Sequence, residues 1–159
     1  MWDEQNRAQA ASTVYKGKIV VLGGYSQRHN HMYNYRIVLG SVEAYDHIAD
    51  TWPNMIDHRS NHNLVAMGDK LFVINHTCEV YDGSADKFVS IKKTEMIGFL
   101  SEVSRDLVAV PMASKILVFR KNKSEVISYD VDKEEWCKEK FEIEKYKLTG
   151  SCVKIPYLK

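Results

Sequence analysis

Three stretches of the chain repeat one pattern of apolar and polar positions, and an unbroken apolar run marks each. GKIVVLGG (17–24), DKLFVINH (69–76) and SKILVFRK (114–121) contain the runs KIVVL, KLFVI and KILVF. A run that short, bounded by turn residues, suits a strand buried on both faces. Ahead of each lies a second strand-like segment: AASTVY (10–15), NLVAM (63–67) and LVAVPM (107–112). Tyr-Lys-Gly (15–17) and Met-Gly-Asp (67–69) supply turn residues between the two.

Behind each run the chain returns to a third motif: VEAYDHIADTW (42–52), CEVYDGSADKF (78–88) and VISYDVDKEEW (126–136). Each copy sets a Tyr-Asp pair against an aromatic seven residues beyond the tyrosine: Tyr45/Trp52, Tyr81/Phe88 and Tyr129/Trp136. The stretches HIAD, GSAD and VDKE between them are polar, with the Asp and Gly that hairpin turns favour. Each unit therefore reads as four short strands, a to d. Successive tyrosines are 36 and 48 residues apart, a period that marks a stack of similar units. The charged stretch 132–147 competes as a helix, but the repeat register makes it strand d followed by a linker.

A four-stranded antiparallel unit is too small to hide both of its faces alone. Tyr and Trp or Phe on its outer strands can each bury roughly 150–250 Å² against the next unit. The six repeated aromatics are accordingly expected to be structural.

Composition changes this picture little. The chain has 159 residues, is 45% hydrophobic and carries a net charge of +1, with its basic residues dispersed. That gives no electrostatic footprint for nucleic acid. The longest apolar run, around Ile19–Leu22, is far too short to span a membrane. Cys78, Cys137 and Cys152 share no CxxC spacing. With no apolar signal segment at 1–12, they read as reduced thiols of a cytoplasmic protein.

The residues GKIVVLGG with Gly23-Gly24, the following Tyr45 and the spaced Trp52 resemble a Kelch repeat, the blade of a β-propeller. TWPNMIDHRSNHNLVAMGDKLFVI (51–74) resembles a blade-to-blade junction of Kelch-like proteins. The second and third copies depart from the pattern, with Asn75-His76 and Arg120-Lys121 where the Gly pair belongs. The resemblance implies an all-β partial Kelch β-propeller of about three four-stranded antiparallel blades, at 7–55, 59–91 and 104–139. A terminal closing strand is expected at 150–155. Propellers close with about 4–8 blades, so the expectation is the C-terminal half of a larger propeller, or a truncated paralogue.

In Kelch-like proteins the b–c and d–a loops share one face, which commonly grips a partner peptide. Carried onto this chain, that face takes Arg7, Arg59 and Arg105 ahead of strand a, Asn75 and His76, and Arg120. It also takes the long b–c insertion YSQRHNHMYNYRIVLG (25–40), with Tyr25, Arg28, His29, His31, Tyr33, Tyr35 and Arg36. Arg and Tyr combine charge-assisted hydrogen bonds with large rigid faces, so an acidic or polar peptide is the expected ligand. His29-x-His31 lacks a nearby acidic or Cys partner, and His58 and His62 fall on a turn-to-strand junction. No metal site and no cofactor are expected.

No GxSxG, P-loop, GxGxxG, HExxH or DxDxDG motif occurs, so catalysis is not expected. The resemblance is greatest to the substrate-recognition propellers of cullin-RING ubiquitin-ligase adaptors. Their N-terminal BTB domain binds the cullin, and no BTB-like helical segment is read in this chain. Other Kelch propellers bind actin, which is the alternative reading.

Overall fold

The computed structural model describes residues 7–29, 34–45, 62–75, 77–91, 107–120 and 124–140. At Arg28, His29, Asn34 and Tyr45 the description covers the main chain. Every regular element among these residues is a β-strand.

Among the described residues thirteen strands form four antiparallel sheets. The first, blade A, pairs β1 (Ala11–Tyr15), β2 (Lys18–Leu22) and β5 (Val42–Tyr45), in that order. Strands β3 (Tyr25–His29) and β4 (Asn34–Val38) make a separate two-stranded sheet. Blade B runs β6 (Asn63–Met67), β7 (Lys70–Ile74), β8 (Glu79–Asp82), β9 (Lys87–Ser90). Blade C runs β10 (Leu107–Met112), β11 (Lys115–Arg120), β12 (Val126–Asp130), β13 (Glu135–Lys138).

The chain order within each blade follows from its turns. Lys16 and Gly17, between β1 and β2, have φ of 48° and 75°. Two positive values in succession give the type I′ turn whose twist matches the flanking strands. Between the last two strands, the Asp of the repeated Tyr-Asp pair folds the turn. Asp82 Oδ1 accepts the backbone N–H groups of Ser84 and Ala85 at 2.9 and 3.2 Å. Asp130 Oδ1 accepts those of Asp132 and Lys133 at 3.2 and 3.1 Å. These turns set Tyr81 directly across from Phe88 and Tyr129 across from Trp136. Ring centroids of the two pairs lie 5.5 and 5.1 Å apart, tilted by 52° and 53°. The seven-residue spacing in the sequence is thus a cross-strand aromatic pair.

The core lies between blades. Tyr15, Val20, Leu22 and Val42 of blade A meet Leu71, Val73 and Phe88 of blade B. Val65, Phe72, Ile74 and Cys78 of blade B meet Ile116, Val118, Ile127 and Tyr129 of blade C. Tyr15 donates its hydroxyl to Asp69 O at 2.6 Å and meets Tyr81 edge-on. The Asn63 side chain clamps the next blade, donating to Leu107 O (3.1 Å) and accepting from Ala109 N (3.2 Å).

The repeated aromatics pack toward the preceding blade, not the next: Tyr81 and Phe88 line the junction with blade A, and Tyr129 that with blade B. Side chains alternate across a sheet, and the register opposite Leu71 and Ile116 puts these tyrosines on the face turned toward the preceding blade. Within the insertion at 25–40, read as a loop, Tyr25–His29 and Asn34–Val38 pair as two regular antiparallel strands. Trp52, strand d of the first unit and the closing strand at 150–155 lie outside the described residues.

Candidate partner-binding face

Gly23-Gly24 roots the β3–β4 hairpin onto blade A. Ala8 and Tyr25 exchange backbone hydrogen bonds at 2.9 and 2.8 Å, Leu39 N–H donates to Gly24 O at 2.9 Å, and Gly23 N–H donates to Ser41 O at 3.1 Å. Three segments of backbone, around Ala8, Gly23–Tyr25 and Leu39–Ser41, therefore converge there. Gly24 has φ of 88°, and a Cβ on it would sit 2.6 Å from Ala8 O and 2.9 Å from Ala10 N. Only glycine fits both the angle and the space.

Arg7 closes the same junction. Its guanidinium donates to Gly23 O (2.8 Å), Ser41 O (3.2 Å) and Ser41 Oγ (2.9 Å), and it pairs with the Glu43 carboxylate. Its side chain is 9% exposed. Arg7 thus ties the chain entering blade A to both ends of the hairpin, and its charge is matched inside the protein.

The hairpin itself is regular, from Tyr25↔Val38 to His29↔Asn34. Ser26 is buried beneath it. Gln27, Tyr35, Arg36 and Val38 are exposed, with Tyr35 at 44% and Val38 at 40%. The Arg36 guanidinium lies 4.6 Å from the centre of the Tyr25 ring, a cation–π stack across the two strands. No Asp or Glu occurs between residues 25 and 42.

The other expected contact residues fall in different surroundings. The backbones of Arg28 and His29 pair with Tyr35 and Asn34. Asn75 is buried at 1% exposure and accepts the Cys78 S–H on its carbonyl at 3.3 Å. Arg120 is half-buried at the end of β11. His31, Tyr33, Arg59, His76 and Arg105 lie outside the described residues. The β3–β4 pair therefore brings Tyr25 and Arg36 together, with Tyr35 exposed on the other face, while Arg7 and Asn75 face inward.

Sequence reasoning missed Glu43, although a signal for it existed. Glu43 and Glu79 both stand two residues before the repeated tyrosine, in the two units that also carry an Arg twelve residues before the first apolar residue of strand b, Ile19 or Leu71. The third unit has Ile127 and Ser104 at those places, so both members of the pair are lost together. Blade C has its own polar tie instead. Ser128 Oγ donates to Glu139 Oε1 at 2.6 Å, and Lys115 Nζ donates to the same oxygen at 2.9 Å. The Ser128 hydrogen bond, with that of Lys115, holds the Glu139 carboxyl below its usual range, and the Glu139 hydrogen bond raises Lys115. In blade B, burial and the 2.5 Å hydrogen bond to Asp86 push the Tyr81 hydroxyl up to about 12. Burial also raises Tyr129. Each of these groups is engaged within its own blade or junction.

Residues 6–52 match the Kelch motif. No curated protein matches the sequence. A solved structure, that of YjhT, superposes with a TM-score of 0.64 at 11% identity, covering 88% of this chain. The chain spans 54% of the length of that protein. At that identity the likeness is one of fold. Together with the antiparallel blades, it makes the fold all-β and propeller-like, with the Kelch motif matched over the stretch that holds blade A.

Proposed function

We propose that this chain is a protein-recognition module without catalytic activity, and that it grips a polar or acidic peptide through the β3–β4 hairpin. One observation carries the reading. A regular hairpin, rooted by Gly24 and Arg7, holds Tyr35, Arg36 and Val38 in solvent on a rigid base. Binding residues concentrate on such projecting segments of a rigid scaffold, and aromatic and Arg side chains dominate binding energy at interfaces. Arg59, Arg105, Arg120 and His76 complete the proposed face by their repeat positions.

In the more specific form of this proposal, the bound protein is a substrate presented to a cullin-RING ubiquitin ligase. That form rests on the Kelch resemblance and requires a BTB domain to reach the cullin.

The test replaces residues 25–39 with a short Gly-containing turn and compares cross-linked partners of the two proteins in cell extract. Circular dichroism checks that the blades remain folded. The expected result is loss of one discrete protein partner with the blades intact. Unchanged partners in the replaced form overturn the reading. Co-capture of a cullin by a BTB-bearing form supports the ligase role, and salt-sensitive co-sedimentation with actin filaments favours the cytoskeletal one.

A further inference from the structure

The geometry points to strand addition: the outer edge of β4 takes an extended peptide segment as a third strand, and Arg36 selects a carboxylate side chain on it. This rests on the protein-recognition reading and specifies its mode.

Three observations converge on β4. The first is an edge that no described strand covers. β3 and β4 form a two-stranded sheet, and among the described residues no strand pairs along the other side of Asn34–Val38. Such an edge presents a row of N–H and C=O groups that template another strand. Natural edge strands are usually blunted by proline, lysine or a bulge. NYRIV has no proline and no lysine, and its register with β3 is unbroken.

The second is a preorganised cation. The Arg36 guanidinium sits over the Tyr25 ring, its carbon 4.6 Å from the ring centre. This contact uses none of its N–H groups as donors to oxygen, and a guanidinium fork matches a carboxylate in two parallel hydrogen bonds. Among the described residues no carboxylate pairs with it.

The third is charge. The whole segment from 25 to 42 carries Arg28 and Arg36 and no acid. The complement to β4 is therefore an extended strand with acidic side chains at alternate positions, since same-face residues recur every second position along a strand.

The probe is a nine-residue peptide alternating glutamate and threonine, with glutamine-for-glutamate and lysine-for-glutamate versions as controls. Calorimetry is run on the full chain, its Arg36→Ala and Arg36→Lys variants, and the hairpin replacement. The glutamate peptide is expected to bind at least about 10-fold more tightly than the glutamine one, the range of a charged hydrogen bond. Arg36→Ala is expected to abolish that preference, and Arg36→Lys to lose most of it. Amide hydrogen exchange should slow at residues 34–38 on binding. Equal affinity for both peptides, unchanged binding by Arg36→Ala, or protection confined elsewhere overturns the inference. Absence of peptide binding also overturns it, but leaves the recognition reading intact if the hairpin replacement still loses its protein partner. Only a hairpin replacement that keeps every partner removes both.

Discussion

Blades A and C contain nearly the same buried-type strand, KIVVL and KILVF, yet the two are packed differently. Ile116 of β11 is 0% exposed, while Ile19 at the same repeat position of β2 is 49% exposed, and Val14 beside it is 63% exposed. Ile116 lies in the junction with blade B, whereas no described blade stands behind Ile19. The apolar run therefore specifies a strand, and the neighbouring blade decides whether both of its faces are core. The two blades also end this strand differently. Blade A stops at Gly23-Gly24, where Arg7 ties together three backbone segments and the β3–β4 pair departs. Blade C extends through Arg120 and ties its outer strands with Ser128, Lys115 and Glu139. One frame thus accepts two devices at its end, and only the first makes room for an insertion.

The largest expected effect tests the packing difference. Ile116→Ala should cost about 2–5 kcal/mol, because it opens a cavity in a closed junction. Ile19→Ala should stay within about 0.5–1 kcal/mol, as exposed sites do. Urea unfolding midpoints of the two variants measure this, and equal losses would break the comparison.

Next come the devices at the end of strand b. Gly24→Ala should destabilise by about 1–3 kcal/mol from backbone strain alone, with the overlap on Ala8 O in addition. Gly17→Ala, where a Cβ meets nothing within 4 Å, should cost only about 1 kcal/mol for its left-handed angle. Arg7→Ala should cost about 1.5–3 kcal/mol, since it strips charged hydrogen bonds from half-buried acceptors. Thermal melts rank the three.

Smaller effects follow from pH. The Glu139 carboxyl is held below its usual 4.5, so its contribution is present above that pH and is lost as pH falls through the folded value. Ser128→Ala should lower Tm at neutral pH and shrink its fall on the acid side, with little change at the lowest pH. Tyr81 runs the other way. Its folded value is raised from 10.0 to about 12, so its contribution is complete below pH 10 and is lost as pH rises toward 12. Tyr81→Phe should remove one late-titrating phenol from the absorbance titration. The smallest effect on stability belongs to Arg36→Ala, within about 0.5 kcal/mol, although it should abolish the peptide preference.

Much of the blade was legible because its signals are local. The apolar runs, the Asp-led turns and the seven-residue aromatic spacing all lie within one hairpin, and the strands of blades B and C fall where the repeat put them. The site was less legible. Arg7 reads in sequence as a surface cation, but its partners are Gly23, Ser41 and Glu43, up to 36 residues away. Asn75 stands in a position that resembles a loop, yet it is buried. The hairpin at 25–38 hides in a loop reading because its strands are short, polar and interrupted by His and Asn.

By itself, the sequence determined that the chain forms four-stranded antiparallel units, since strand period, turn chemistry and cross-strand pairing are set within a few dozen residues. Tertiary structure alone decided which faces are buried, which arginine is matched inside and which stands over a tyrosine in solvent. Burial and charge pairing depend on what another blade or hairpin brings to the opposite side, and no local pattern records that.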